Sequence, residues 1–260
     1  MTDFQNLADG IGKLANALPE AYNDGAKGTV QQTGKVLERI PRFINALAAN
    51  FDIWIMKREA KVDAVSKLID EKLENILEEN IVSPEPHIAV PALQAIGYSM
   101  DSEVLRNMYA NLLAKAMQVD KKDDIHPSFV ENIKQMNPRD ASNLSAFPAD
   151  RLSLPIINLV MRNPDSSHHT VERNLFISNS LFQDLHQQAA SIDLLETLGL
   201  IKIDYDNRSA NDSVYQKFEK TLLYLQYLEK ATAAGKQIEM EKGLVFLTTL
   251  GLSFVNICLK

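Results

Sequence analysis

The stretch "FQDLHQQAASIDLLETLGLIKIDYD", residues 182–206, decides the reading of the C-terminal half. Ile192, Leu194, Leu195 and Leu198 recur at helical spacing and mark one apolar face. Gly199 then stops the helix, because glycine supplies the left-handed backbone on which helices commonly end. "LIKIDY", residues 200–205, alternates as a strand does. Further on, "KQIEMEKGLVFLTTLGLSFVNICL", residues 236–259, reads as a returning strand that runs into a short apolar helix. Helix, glycine stop, strand, returning strand and closing helix together predict a winged-helix-like module. An amphipathic insertion from Tyr215 to Thr232 separates the strands, with Phe218, Leu222, Leu225 and Tyr227/Leu228 placed on one side. Ordinary wings are short hairpins, so this insertion departs from the usual form.

Such a module raises the question of DNA. The helix that would enter a groove, around Ser191–Leu198, holds Asp193 and Glu196 and neither Lys nor Arg. Phosphate contacts dominate nucleic-acid affinity and need cations. The whole chain carries 27 Lys/Arg against 34 Asp/Glu, a formal charge of −7. Nucleic acid is therefore not the expected partner, and a DNA-binding regulator stands only as the alternative reading. Protein contact or self-association is expected instead.

Working towards the N-terminus, Asn137 followed by Pro138 offers an N-cap and a proline at the first helical position. Just before it, Ser128 and Glu131 have the S-x-x-E spacing of a capping box, with Phe129, Ile133 and Met136 at helical steps behind. The charged loop "VDKKDDI" (119–125) precedes that start. A further helix carries Val104, Leu105, Met108, Leu112, Leu113 and Met117 on one face, and another pattern runs through Leu93 and Ile96. "SPEPHIAVP", residues 83–91, has three prolines in nine residues and is expected to be an extended linker.

Upstream, Ile55, Val62, Ile69 and Ile76 repeat every seven residues, with Phe51 and Val65 between them. This predicts a long helix packed lengthwise in a bundle, with self-association as its sharper form. Val36, Ile40, Phe43/Ile44 and Leu47 predict a helix with Pro41 marking its first turn or a kink. "RFINALAANFDIWIMKR", residues 42–58, has apolar bulk with basic ends. Arg42, Phe43, Trp54, Lys57 and Arg58 are thus candidates for membrane or partner contact, and a membrane-disrupting effector is the third reading. Residues 1–34 hold five of the ten glycines and are expected to form a flexible arm.

Four regions follow: the arm 1–34, a long amphipathic helical region 35–82, a central helical domain 83–160, and the winged-helix-like module with its helical insertion, 161–260. The expected fold class is mainly α, a helical bundle with long N-terminal helices and a C-terminal winged-helix-like α/β module. Hydrophobic residues make up 45% and charged residues 23%, enough for a sizeable core. One cysteine, Cys258, excludes an internal disulfide framework and fits a reducing compartment. Asp3 and Asp9 stand where a secretory signal would be basic. The expected location is cytoplasmic, with membrane association at most peripheral.

The sequence carries none of the familiar catalytic signatures. There is no Gly-rich phosphate loop, no G-x-S-x-G and no H-E-x-x-H. Cys258 sits in an apolar helix and reads as packing. His168-His169 fall in what reads as a polar loop, without a second ligand pair. Pro164-Asp165 lacks the downstream acidic-x-Lys of a nuclease. No catalytic residue, metal or cofactor is assigned.

"LEENIVSPEPHIAVPALQAIGYSMDSEVLRNMYANLLAKAM" (77–117) and "HPSFVENIKQMNPRDASNL" (126–144) resemble the Abi-alpha family of bacterial proteins associated with abortive infection. The matching features are Glu79-Asn80-Ile81, Pro84, Pro86, Pro91, the "NLLAKAM" helix with Leu112, and His126, Pro127 and Phe129 with the following Pro138. The resemblance is strongest over residues 73–147 and implies a part in anti-phage defence. It brings no catalytic motif, so a non-enzymatic mechanism through protein or membrane contacts is expected. His126 is expected to serve a helix start or packing.

Overall fold

A computed structural model describes residues 67–99, 102–147, 153–177 and 184–260. The chain divides into two compact units at Gln135/Met136. In the first unit the long heptad helix is described only over 67–73, where Ile69 and Leu73 are buried; Ile76 lies beyond its end. A 3-10 turn, Glu78–Asn80, leads to an antiparallel bridge between Ile81 and Gln118. Three helices follow: α1 (Pro86–Ser99), α2 (Glu103–Ala116) and α3 (Ser128–Gln135). Their core contains Ile88, Ala92 and Ile96 of α1, Met108, Leu112 and Leu113 of α2, and Phe129 and Ile133 of α3.

The proline-rich segment is not the extended linker its composition predicts. α1 begins at Pro86 and contains Pro91. Pro86 forgoes an N–H that would have no intrahelical acceptor, so it suits a first turn. Only Pro91 sacrifices a helical hydrogen bond. The buried side chains Ile88, Ala89, Ala92 and Ala95 outweigh that loss. α2 is entered conventionally, with Ser102 Oγ accepting from the Leu105 N–H at 3.3 Å.

In the second unit α4 (Pro138–Ser145) starts on the expected Asn137 cap. Asn137 Oδ1 accepts from the Arg139 and Asp140 N–H groups, and Asp140 accepts in return from the Asn137 N–H at 2.7 Å. Beyond it the expected mainly helical fold with a winged-helix module fails. Four antiparallel strands form one sheet in the order β2-β1-β4-β3: β1 (Ser153–Arg162), β2 (His168–Phe176), β3 (Ile201–Asp204) and β4 (Gln237–Leu247). The returning strand does pair with β3, but over only four residues, whereas β1 pairs with β4 over ten. β1 is thus a central strand of the sheet.

The physical reason is burial on both faces. "SLPIINLVMR" buries Ile156 and Val160 towards one side and Ile157 and Leu159 towards the other. A strand covered twice shows a continuous apolar run, which periodicity cannot distinguish from a helix segment. The β1–β2 turn is closed by Asn163 and Ser167, with Ser166 in the left-handed region at φ 68°. Asp165 accepts from the Ser167 N–H and hydroxyl, which hold its carboxyl below the usual range. His168 and His169 therefore open a strand rather than occupy a loop, and both are exposed.

α5 (Leu185–Thr197) ends as the sequence predicts. Gly199 takes φ 72°, and the Leu200 N–H returns to the Leu195 carbonyl. The 3-10 turn Asp212–Tyr215 and α6 (Leu222–Ala233) fill the β3–β4 connection. α7 (Thr249–Phe254) and a wider turn, Val255–Leu259, close the unit and bury Phe254, Ile257 and Cys258.

Candidate interaction surface

α6 opens on Thr221, whose Oγ1 accepts from the Tyr224 N–H at 3.2 Å. Its inner face carries Leu223, Tyr224 and Tyr227 against a cluster of Ile157, Leu159, Leu175, Leu185, Tyr215 and Phe218. Tyr227 also donates to Glu172 Oε1 at 2.7 Å, and the other carboxylate oxygen lies 3.2 Å from His186 Nδ1. That hydrogen bond, more than burial, pushes the Tyr227 hydroxyl up to about 12. The helix is thereby pinned to β2 and to the start of α5.

The insertion's apolar residues do not share one side as its spacing predicts. Phe218 and Tyr227 turn inward, while Leu222, Leu225 and Leu228 stand 72%, 49% and 41% exposed. Gln226, Glu229, Lys230 and Thr232 share the outward side with these leucines, so the helix carries more apolar residues than a single sheet face covers. Isolated exposed leucines are ordinary, but three aligned at three-residue steps form a patch.

Beneath α6 the unit is tightly tied. Tyr215 donates to the Gly243 carbonyl at 2.9 Å and accepts from the Ser209 N–H at 3.0 Å. Lys242 spans Asp212 and the Tyr215 ring. Lys217 donates to the Ile177 carbonyl at 2.7 Å, and burial lowers its ammonium to about 8.

On the other sheet face lies a polar clamp that the sequence reading missed. Tyr205 follows β3 and lays its ring over Gly243, where an added Cβ would meet the ring at 2.6 Å. Its hydroxyl lies 2.8 Å from Asn158 Oδ1 and 3.0 Å from Asn174 Oδ1. Asn158 donates to Glu241 at 2.6 Å, and Asn174 donates to Asp193 of α5 at 2.6 Å. Burial, followed by the nearby Glu241 charge, raises the Tyr205 hydroxyl well above its ordinary value. Asn174 sits at φ 53° where the β1–β2 register slips, the geometry of a bulge. The available signals were an asparagine inside an apolar run and a glycine inside a strand.

The residues carrying the family resemblance have local structural roles. Asn80 accepts from the Val119 N–H at 3.0 Å, and the Val82 N–H donates to the Met117 carbonyl at 2.8 Å, stitching this segment to the end of α2. Glu79 is exposed in the same turn, Pro84 is buried, and Leu112 and Phe129 are core residues. Pro127 is exposed. His126 Nδ1 accepts from the Ser128 N–H at 3.1 Å and lies 2.7 Å from Ser128 Oγ, while its ring tilts towards Phe129 at 6.3 Å. A backbone N–H only donates, so Nδ1 is the acceptor and the histidine caps α3. The expected Ser128/Glu131 capping box is not what starts this helix: Ser128 turns to His126, and Glu131 pairs with Lys134 at 3.5 Å.

Arg42, Phe43, Trp54, Lys57 and Arg58 lie outside the described residues, as do the N-terminal arm and most of the heptad pattern. Among the described residues no three His, Cys, Asp or Glu side chains are grouped to hold a metal ion. No described helix is long and apolar enough to cross a membrane.

Comparison with curated proteins and with solved structures finds no match. The family model for abortive infection alpha matches residues 57–258, spanning both units. The chain therefore belongs to the abortive infection alpha family.

Proposed function

We propose that this protein acts in abortive infection, in which a phage-infected bacterial cell halts or dies, by binding a protein partner through the outer face of α6. One observation carries the reading: Leu222, Leu225 and Leu228 are held in water on a helix whose inner face is locked to the sheet. Removing apolar surface from water is worth about 25 cal/mol per Å². A rigid leucine stripe can therefore drive association without first paying to order itself. The family assignment supports the defence role, and the stripe supports contact rather than chemistry as its means.

The test is plaquing efficiency over a broad phage panel, in hosts with the gene, without it, and with Leu225→Glu. Circular dichroism and thermal melting verify that the variant folds, since Leu225 is on the outer face. The expected result is protection by the wild type and plaquing restored to the gene-free level by the variant. Full protection by a folded Leu225→Glu protein would overturn the reading.

A further inference from the structure

We draw no further inference here: the strongest candidate, the surface patch of Leu222, Leu225 and Leu228 on the outer side of α6 as the seat of one particular partner, carries nothing beyond the contact already proposed, because nothing in the structure shows what covers it.

Discussion

His126 combines two ways of starting a helix. Its ring nitrogen satisfies the Ser128 N–H, as an Asn or Asp cap would, and its ring leans on buried Phe129. His126→Ala should therefore destabilise the protein by about 1 kcal/mol, the usual worth of a side-chain cap. His126→Asn should lose only a few tenths, because the acceptor is restored. Urea unfolding of the two variants decides it, and equal losses would assign the effect to the Phe129 contact. Lys217 illustrates the opposite balance. Burial lowers its ammonium from 10.5 to about 8, so between those values the unfolded chain binds more protons than the folded one. Stability contributed at this site therefore rises with pH from about 8 towards 10.5. Relative to Lys217→Met, the wild type should gain stability across that window in chemical denaturation. A constant difference between the two would refute this account of the site.

At the scale of elements, β3 and β4 are joined by more than their ladder. Tyr205 can cross β4 only because residue 243 has no side chain, and its hydroxyl then links to Asn158 on β1 and Asn174 on β2. Gly243→Ala should cost about 1–3 kcal/mol by overpacking. Tyr205→Phe should cost about 1 kcal/mol, because the one hydroxyl proton shared between Asn158 Oδ1 and Asn174 Oδ1 is lost while Asn158 Oδ1 keeps the Asn174 N–H. In a Tyr205→Ala background the Gly243→Ala loss should shrink without vanishing, since the Asp204 carbonyl still lies 2.7 Å from the added carbon. A thermal-denaturation double-mutant cycle measures this, and strict additivity would deny the contact. α1 makes a related point about elements. Its prolines argue locally for an extended chain, yet a buried row of Ile88, Ala89, Ala92 and Ala95 makes it a helix. Local preference loses there because tertiary burial supplies most of a helix's stability.

Across the whole molecule, the sequence by itself determined what depends on neighbours in the chain. The Asn137-Pro138 start, the Gly199 stop and the β3–β4 pair were all legible, because caps and turns act over a few residues. The residues of the family resemblance were legible too, and residues 57–258 match the family. Tertiary structure alone decided the rest. Whether "PIINLVM" is a helix or a strand depends on β4, which joins it from some eighty residues away, Asn158 facing Glu241. The Tyr205 clamp gathers residues from all four strands' neighbourhoods and α5, so no local spacing could announce it. Which leucines of α6 face water was likewise undecided by a segment whose leucines fall on several sides; the sheet chose Leu223 and Tyr227 and left Leu222, Leu225 and Leu228 outside. Local chemistry sets where elements begin and end, whereas burial, which needs a partner surface, sets what they become and which face remains for binding.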